Sequence, residues 1–509
     1  MGNGKPTTRQ LRKEKFQAPQ KAWKRLRATL KAFEDEKYMK YNRVLGFGGF
    51  GLVQDWDILK KDGSRDRSIA IKTVVNKGSR SSIESIKREI WWTKKFTGSE
   101  HLIQLADLDK RVMKAANFND EITSGMPNIA MEKLGRGSLY LLIHRIKYAA
   151  DWNAIAPEHL RLMEYIPNRT LWQIFQCLTR AVIGIAYPST LPETRKGLSI
   201  RETTQGIPDK FKPERIVHND IDVGNIFVAD PRDCPPDDEH PWAPIIKIAD
   251  YGCMVQWDDT WTRAQKVASL WGKDSYKAPE QFPPRALGTL SMGDWTNVYQ
   301  IGQVMQDLIT LKFVNYSIRN FQWRTTENNK IGFYTYGWRL LGDKSYRLDD
   351  DWRNVDIELR ELVASCMADM TYDRPGLREL EGIISRRIAD LAELVPDPRT
   401  ELNPEAKESV PGQAPKTGLN PESKEFVPGQ VPKTGLNPES KEFVPGEGPP
   451  ADILYKSRVP MGKGEPEWLL KKFYRDYFVE AWEDPDKYED YWSKKTLTPY
   501  VISDDEDEG

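Results

Sequence analysis

The chain has 509 residues, and its 75 basic residues balance its 75 acidic ones, so the formal net charge is zero. This length exceeds one compact core and predicts a large globular unit with accessory segments. The even charge balance argues against nucleic acid as a partner. The mean hydropathy of -0.64 leaves too little apolar material for a chain built to lie in a bilayer.

The cysteines lie far apart with no paired spacing, at Cys177, Cys234, Cys253 and Cys366. This pattern fits neither a disulfide framework nor a zinc site. The chain opens without a secretory signal, and polar residues interrupt its longest apolar run, which begins at Leu171. We therefore expect an intracellular protein, cytoplasmic or nuclear, with no disulfides and no transmembrane segment.

Residues 1–37 form a basic extension in which apolar residues recur at helical spacing from Trp23 through Leu26 and Leu30 to Phe33. The pattern predicts an amphipathic helix. We interpret it as a helix packed on the neighbouring lobe with its basic face in solvent, because charged helix faces are commonly solvated.

The pattern of residues 38–395 predicts two lobes. Between residues 38 and 134, short apolar runs such as VLGFGGFGLV, SIAIKTV and NIAMEKL alternate with turn residues, and one helical stretch, SSIESIKREIWWTKKF, precedes the third run. This segment predicts a small sheet-rich lobe. Residues 135–395 have mostly helical patterns, as in LWQIFQCLTRAVIGIAY, and predict a larger helical lobe. The expected fold class is therefore α+β.

The composition changes abruptly at residue 396. Residues 396–450 repeat LNPESKEFVPG and its variants with a period of about 17 residues, below that of solenoid repeats. We expect a disordered linker, because these repeats of Pro, Gly, Glu and Lys lack a hydrophobic face. Residues 451–509 predict a helical tail with an acidic terminus. Aromatic residues at near-helical spacing between Trp468 and Trp482 predict that this helix docks, most simply on the chain's own core.

The first chemical motif is a glycine-rich turn, in which Gly46, Gly48 and Gly51 form a GxGxxG that continues to Val53. Glycine lets backbone amides approach phosphate oxygens that a side chain would exclude. Because the motif lies between two strand-like runs and does not open a helix, it indicates a flap over ATP and not a dinucleotide-binding fold.

Lys72 lies in the apolar run SIAIKTV, after Ala70, which is small enough to border an adenine ring. A lone lysine in a strand often protects a sheet edge. Glu89, in the helical stretch that follows, favours another interpretation, because a buried lysine needs an acidic partner to stay charged while it holds phosphates.

The stretch HNDIDVGN carries an acid and an amide at the spacing used in phosphoryl transfer. Asp220 is placed to orient an attacking hydroxyl and accept its proton, and Asn225 is at the spacing of a metal-binding amide. Asp250 follows an apolar strand and precedes Tyr251 and Gly252, which predicts a carboxylate for Mg²⁺ at a turn.

Two further motifs are KAPE and YDRP, whose Glu280 and Arg374 predict a buried bidentate pair. Together, all these motifs resemble those of the eukaryotic protein-kinase superfamily, serine/threonine type, over about residues 38–395. The resemblance implies a bilobal fold that binds ATP and Mg²⁺ between its lobes and acts on a protein substrate. It implies a site with catalytic Asp220, Lys72 and Glu89, metal ligands Asn225 and Asp250, and a nucleotide pocket of Leu45, Gly46, Gly48, Gly51, Val53, Ala70, Lys72, the gatekeeper Met131, the hinge residues Glu132 and Leu134, and Phe227.

The chain departs from the family's pattern at four positions. Asn219 stands where the family has an arginine that receives an activation-loop phosphate, so switching by loop phosphorylation is not expected in its usual form. Tyr251 replaces a phenylalanine. Asn297 replaces an aspartate that holds the catalytic loop, and we expect a weaker brace because the amide accepts hydrogen bonds without bringing charge.

The fourth departure is Asp222, where serine/threonine members carry a lysine that meets the γ-phosphate. In WGKDSYKAPE, Lys273 stands where the family has a threonine that touches both the catalytic aspartate and that lysine. We hypothesise that the cation has changed sides of one contact, so that Lys273 joins the catalytic residues by pairing with Asp222 near Asp220. A separation well beyond about 6 Å from both carboxylates would exclude the hypothesis.

Two alternatives stay open. The four departures suggest a pseudokinase scaffold, which would bind nucleotide without transferring phosphate. HNDxxxGN also resembles the loop of choline and aminoglycoside kinases, which suggests a small-molecule kinase, although those relatives lack the Ala278–Glu280 segment. Protein serine or threonine acceptors are favoured, because SYKAPE lacks the tryptophan usual in tyrosine kinases.

Overall fold

The computed structural model describes residues 24, 38–47, 51–75, 79–108, 118–119, 127–156, 161–188, 202–231, 240, 243–282, 291–313, 322–324, 333–341, 355–393 and 465–479. Several sequence predictions lie outside these residues. They are the N-terminal helix apart from Lys24, Gly48 of the glycine-rich turn, the linker of residues 396–450 and the acidic terminus.

The N-terminal lobe is built on a four-stranded antiparallel sheet in the order β1-β2-β3-β4. Its strands are β1 (Met39–Phe47), β2 (Leu52–Leu59), β3 (Arg65–Thr73) and β4 (Asn128–Glu132). Helix α1 (Arg80–Lys95) follows β3, and the Ser79 side chain caps it by accepting a hydrogen bond from the Ser82 amide. The residues of β3 change from exposed at its start to buried at its end, so Lys72 lies in the interior.

The C-terminal lobe is mainly helical. Its helices are α2 (Leu139–Asn153), α3 (Asn168–Ala186), α4 (Arg263–Ala268), α5 (Asp294–Thr310), α6 (Ile357–Cys366) and α7 (Leu377–Glu393). Helix α3 is buried along almost its whole length, as expected for a helix with few charges, and α5 and α7 pack against it. The two-lobed α+β fold expected from the sequence is confirmed.

Short antiparallel ladders shape the loops of this lobe. They pair β5 (Ile216–Val217) with β8 (Val255–Gln256), β6 (Ile226–Val228) with β7 (Ile246–Ile248), and β9 (Gln322–Arg324) with β10 (Phe333–Thr335). HNDIDVGN runs between β5 and β6, and Asp250 follows β7, so the first two ladders bring these loops together. Single turns of 3₁₀ helix lie at Tyr251–Cys253, Pro279–Gln281, Trp338–Leu341 and Thr371–Asp373.

Residues 465–479 lie against the C-terminal lobe. Helix α8 (Glu467–Tyr474) and the π-helical turn Arg475–Val479 contribute buried side chains to the main hydrophobic core, namely Leu469, Phe473, Tyr477 and Phe478. Glu465 accepts hydrogen bonds from the amides of Asn168, at 2.7 Å, and Arg169, at 2.9 Å. It therefore satisfies two of the N–H groups that the start of α3 leaves without a helical partner.

No helix in the described part of the chain combines the length and the apolar composition needed to cross a membrane. The cysteines in the same part are not disulfide-bonded, and all of them are buried: Cys177, Cys253 and Cys366. They lie on separate elements, which are α3, the turn after Asp250 and the end of α6.

Candidate active site

The described glycines of the glycine-rich motif are Gly46, in β1, and Gly51, immediately before β2. Gly46 pairs with Val53, and Val53 pairs on its other side with Lys72. A Cβ at Gly51 would lie 3.0 Å from Lys72 Cγ and 3.1 Å from the Thr73 carbonyl, whereas one at Gly46 would meet nothing within 4 Å. Gly51 therefore permits close packing on Lys72, and Gly46 leaves open space where an anion could approach the backbone.

Lys72 joins the two lobes through a pair of carboxylates. Its Nζ lies 2.8 Å from Glu89 Oε2, on α1, and 3.0 Å from Asp250 Oδ1, after β7. Burial would lower the pKa of Lys72, but the charges of Asp250 and Glu89 raise this pKa above its ordinary value. Burial would likewise raise the pKa of Asp250, but Lys72 holds that pKa below its usual value. The site therefore presents a fixed cation beside an ionised Asp250.

The apolar residues expected around an adenine ring lie on β1, β3, β4 and β6 and just after β4. Ala70 pairs with Met131 across β3 and β4, and both are buried. Leu134 and Phe227 are half-buried and pack against the main core. Leu45 is 41% exposed in β1. Apolar side chains of this kind are what a pocket for a base needs, so their role around adenine stays a prediction.

The hinge residue Glu132 is fixed by its carboxylate and by its backbone. Glu132 Oε1 lies 2.8 Å from Lys247 Nζ, on β7, and accepts a 2.9 Å hydrogen bond from the Gln104 amide. The Glu132 amide donates in turn to the Gln104 carbonyl at 3.0 Å. Glu132 is therefore held between β7 and the loop before β4, which keeps in place the backbone predicted to form the hinge.

Asp220 and Asn225 lie together in the loop between β5 and β6. The Asn225 Nδ2 group donates to Asp220 Oδ2 at 2.9 Å and to Asp222 Oδ2 at 3.1 Å. Because its N–H groups are engaged, the Asn225 carbonyl oxygen Oδ1 is the atom available to a cation. Burial, and then the charge of Asp222, raises the pKa of Asp220 to about 6. A pKa nearer neutrality suits a proton acceptor.

The contact hypothesised between Lys273 and Asp222 is present. The Lys273 Nζ lies 2.5 Å from Asp222 Oδ2, and the Asp222 side chain is only 3% exposed. Asp222 Oδ1 accepts a 2.7 Å hydrogen bond from the Gly224 amide, and a Cβ at Gly224 would lie 2.9 Å from that oxygen. Glycine therefore leaves room for the ion pair. The Lys273 charge also lowers the pKa of Asp220, against the raising effects of burial and Asp222.

Asn219 joins the catalytic loop to residues 250–281, the activation segment, through neutral hydrogen bonds. Its Nδ2 donates to the Cys253 carbonyl at 2.9 Å, and its Oδ1 accepts from Gln281 Nε2 at 2.9 Å. Gln300 Nε2, on α5, donates to the Asn219 carbonyl at 3.1 Å. Both ends of the segment are therefore held by amides at the position where the family's arginine would receive a phosphate.

Asn297, on α5, braces the catalytic loop. Its Oδ1 accepts from the His218 amide at 3.0 Å, and its Nδ2 donates to the Ile216 carbonyl at 2.8 Å. An aspartate could accept the first bond but could not donate the second, so the amide replaces lost charge with an added hydrogen bond. Burial lowers the pKa of His218 to about 4, which keeps the ring neutral, and its Nε2 donates to the Ala249 carbonyl at 3.2 Å.

Glu280 and Arg374 form the bidentate pair expected from the sequence. The two Arg374 terminal nitrogens lie 2.7 Å and 2.8 Å from the two Glu280 carboxylate oxygens, and both side chains are fully buried. The Thr296 hydroxyl donates a further 2.8 Å hydrogen bond to Glu280. The end of the activation segment is therefore fastened to α5 and to the loop before α7.

Residues 39–382 match the family model described as the protein kinase domain. The chain belongs to the protein kinase family. No curated protein was found to match it. The matched residues contain the N-terminal lobe, most of the C-terminal lobe and every residue of the candidate site. The match ends within α7, and α8 lies beyond it in the chain.

Sequence reasoning did not identify two glutamines that fasten the activation segment of this kinase domain. Gln281 and Gln300 are 1% and 0% exposed. The signal was present on α5, where glutamines recur at every third position of an otherwise apolar stretch, at Gln300, Gln303 and Gln306. Because buried amides need hydrogen-bond partners, such a row predicts contacts with a neighbouring loop.

Proposed function

We propose that this chain is an active ATP-dependent protein kinase that transfers the γ-phosphate to serine or threonine hydroxyls. One observation carries the proposal: the Lys72 Nζ lies 2.8 Å from Glu89 and 3.0 Å from Asp250. Phosphoryl transfer depends mainly on positioning and on neutralising charge, and in kinases the lysine pair and the metal-binding aspartate must be in place together. Here both contacts are made by the same ammonium group.

The residues present fit ATP and Mg²⁺. The backbone at Gly46 has open space beside it, and the Asn225 Oδ1 atom and the Asp250 carboxylate are the oxygen ligands that Mg²⁺ prefers. A bound Mg²⁺ would neutralise phosphate charge. Lys72 would hold the phosphates, because its two carboxylate partners keep it protonated.

Asp220 would orient the substrate hydroxyl and accept its proton. Its raised pKa of about 6 still leaves it mostly ionised at neutral pH. Lys273 would supply the positive charge that the family places two residues after the catalytic aspartate, and Asp222 would hold that ammonium in position. In this assignment the chain provides a proton acceptor and a cation next to each other, as the reaction needs.

The proposed acceptor is a protein. The buried pair between Glu280 and Arg374 supports this choice, because it fastens the Ala278–Glu280 segment that the small-molecule kinases lack. Serine or threonine is proposed over tyrosine from the sequence SYKAPE. The rival proposal, a pseudokinase, predicts nucleotide binding without phosphate transfer and is supported by the charge reversal at Asp222.

The proposal is tested by incubating the purified full chain with Mg²⁺, labelled ATP and a mixture of protein substrates, and then identifying the phosphorylated amino acids. We expect phosphoserine or phosphothreonine. Asp220→Asn should reduce the rate by roughly 10²–10⁴-fold, the usual contribution of general base catalysis, and Lys72→Met should abolish transfer. Nucleotide binding by the wild type with no transfer to any substrate would favour the pseudokinase.

We further propose that the aromatic tail is docked on the kinase domain of its own chain. The Tyr477 hydroxyl donates to the Met163 carbonyl, and Arg136 donates to the Val479 carbonyl at 3.1 Å. Phe473→Ala should lower the free energy of unfolding by about 3–5 kcal/mol, because Phe473 is fully buried. The control Trp468→Ala, at a side chain 39% exposed, should cost far less. Equal effects of the two variants in thermal unfolding would contradict docking.

A further inference from the structure

A buried cluster of nitrogen and sulfur side chains lies on elements that the proposed reaction does not use for chemistry. Its members are His101, in the loop after α1, Cys177, on α3, and His240, before β7. They are 0%, 0% and 1% exposed. One potential ligand atom from each lies within 4.8 Å of the other two. The fold therefore brings together three donors that are far apart in the sequence.

Glu202 fixes the orientation of His101. Glu202 Oε2 lies 2.8 Å from His101 Nδ1, and Glu202 Oε1 accepts a 3.1 Å hydrogen bond from the His101 amide. Because an ionised carboxylate can only accept, Nδ1 carries a ring proton, and Nε2 is the nitrogen of the ring that faces the cluster. Histidines that bind metals usually donate their other ring N–H to a carboxylate or carbonyl in this way.

The spacing of the cluster suits a tetrahedral ion. The Nε2 atoms of His101 and His240 are 3.2 Å apart. Two imidazole nitrogens on a tetrahedral zinc ion are about 3.4 Å apart, and a nitrogen and a thiolate sulfur are about 3.6 Å apart, given the usual bond lengths. We propose that His101, Cys177 and His240 bind one structural Zn²⁺ ion. Water would complete the fourth position.

The charges buried around the cluster agree with a divalent cation. The Glu202 side chain is 1% exposed, and a metal-bound Cys177 would be a thiolate, so two negative charges would balance Zn²⁺. Gly184, on the same helix as Cys177, gives Glu202 its space, because a Cβ there would lie 2.9 Å from Glu202 Cγ. The ligand set and its carboxylate therefore fit as one unit against α3.

The zinc ion would tie together the elements that place the two carboxylates around Lys72. His101 lies in the loop after α1, which carries Glu89, and its carbonyl accepts a 3.0 Å hydrogen bond from the Ile248 amide at the end of β7. β7 leads directly to Asp250. A zinc ion bound to both His101 and Cys177 would anchor these two elements to α3. The role of the ion is structural, and it touches no reacting atom.

The main test is the metal content of the full chain, purified without chelators or an immobilised-metal column. Elemental analysis should find about one zinc ion per chain, because a buried site of two histidines and a cysteine retains its metal. Cys177→Ser and His240→Ala should lose the zinc, whereas Cys366→Ser should keep it. Cys366 is a matched control, since it is equally buried but lies at the end of α6.

A second measurement uses wild-type protein and so does not depend on whether the variants fold. Zinc is removed with a chelator and Co²⁺ is added. We expect a thiolate-to-cobalt charge-transfer band and the visible bands of tetrahedral cobalt, and restored zinc should raise the unfolding temperature. Wild type that neither retains zinc nor binds Co²⁺ would show a hydrogen-bonded cluster without metal and would overturn the proposal. Copper in place of zinc would also overturn it.

The orienting role of Glu202 provides a graded test. Glu202→Gln keeps the size of the side chain but removes its charge, and should weaken zinc binding by roughly 10–100-fold, as measured by competition with a coloured chelator. Glu381→Gln is the control, because Glu381 is also buried nearby but pairs with Arg180 and accepts from the Thr204 amide, and is not one of the described partners of the cluster. Equal zinc affinity in the two variants would remove Glu202 from the site.

Discussion

The two sides of the candidate active site reach a similar arrangement by different means. On the nucleotide side, Lys72, Glu89 and Asp250 are residues that the family also uses, and they meet within 3.0 Å. On the side of the activation segment, Asp222 stands where the family has a lysine, and Lys273 pairs with it from the position of the family's threonine. The nucleotide side has the same residue types as the family, whereas the side of the activation segment has different residue types at the same contact.

The difference follows from what each side faces. The nucleotide side must match a ligand whose chemistry is fixed, so its residue types have little freedom. The segment side faces another part of the same chain, which can change together with it. The amides of Asn219 and Gln281 are a second instance, since they replace an arginine and a phosphate by two neutral groups 2.9 Å apart.

On the side of the activation segment, the largest expected effect comes from breaking the pair of Asp222 and Lys273. Lys273→Thr should lower kcat by roughly 10²-fold, because it removes a cation from the reacting phosphate and leaves Asp222 buried without a partner. The double variant Lys273→Thr with Asp222→Lys restores the family's arrangement and should recover much of the loss. The measurement is a double-variant cycle on kcat, in which a positive coupling is expected.

The control for this cycle is Lys266→Thr, a lysine on α4 in the same segment whose Nζ lies 5.8 Å from the Trp257 ring. This half-buried lysine has no role in the proposed reaction and should contribute little to kcat. The outcome that contradicts the exchange is a fall in kcat in the double variant equal to the product of the falls in the two single variants. Asp222 and Lys273 would then act independently, and the exchange would not be what maintains activity.

Much of the site could be predicted because its residues sit at fixed spacing within single motifs. Asp220 and Asn225 share one loop, and Lys72 is embedded in one strand with an obvious apolar pattern. The contact of Lys273 with Asp222 could be predicted only because the family's pattern aligned two distant segments.

The part of the site that could not be predicted depends on contacts between residues far apart in the chain. The spacing of residues within a motif gives no information about such contacts. Gln300 reaches Asn219 from α5, and Cys177 meets two histidines from other loops. The widely spaced cysteines argued against a zinc site because metal motifs are recognised by short intervals between ligands. A cluster in which each ligand comes from a different element is invisible to that criterion.

A smaller expected effect is a shift in the pH dependence of kcat/KM, which reports the charges around Asp220 and not the size of the rate. The pKa of Asp220 is raised to about 6 by burial and Asp222, and Lys273 opposes the rise. Since the base must be deprotonated, kcat/KM should fall as the pH drops through this pKa. Lys273→Met removes the opposing charge, so it should move the acidic limb to higher pH. Asp222→Asn removes a charge that raises the pKa of Asp220 and should move the limb to lower pH.

Titration of the nucleotide is common to the wild type and the two variants, so it cancels when their pH profiles are compared. Shifts of the same sign, or a limb that stays in place, would mean that the exchanged pair is not coupled to the proton acceptor.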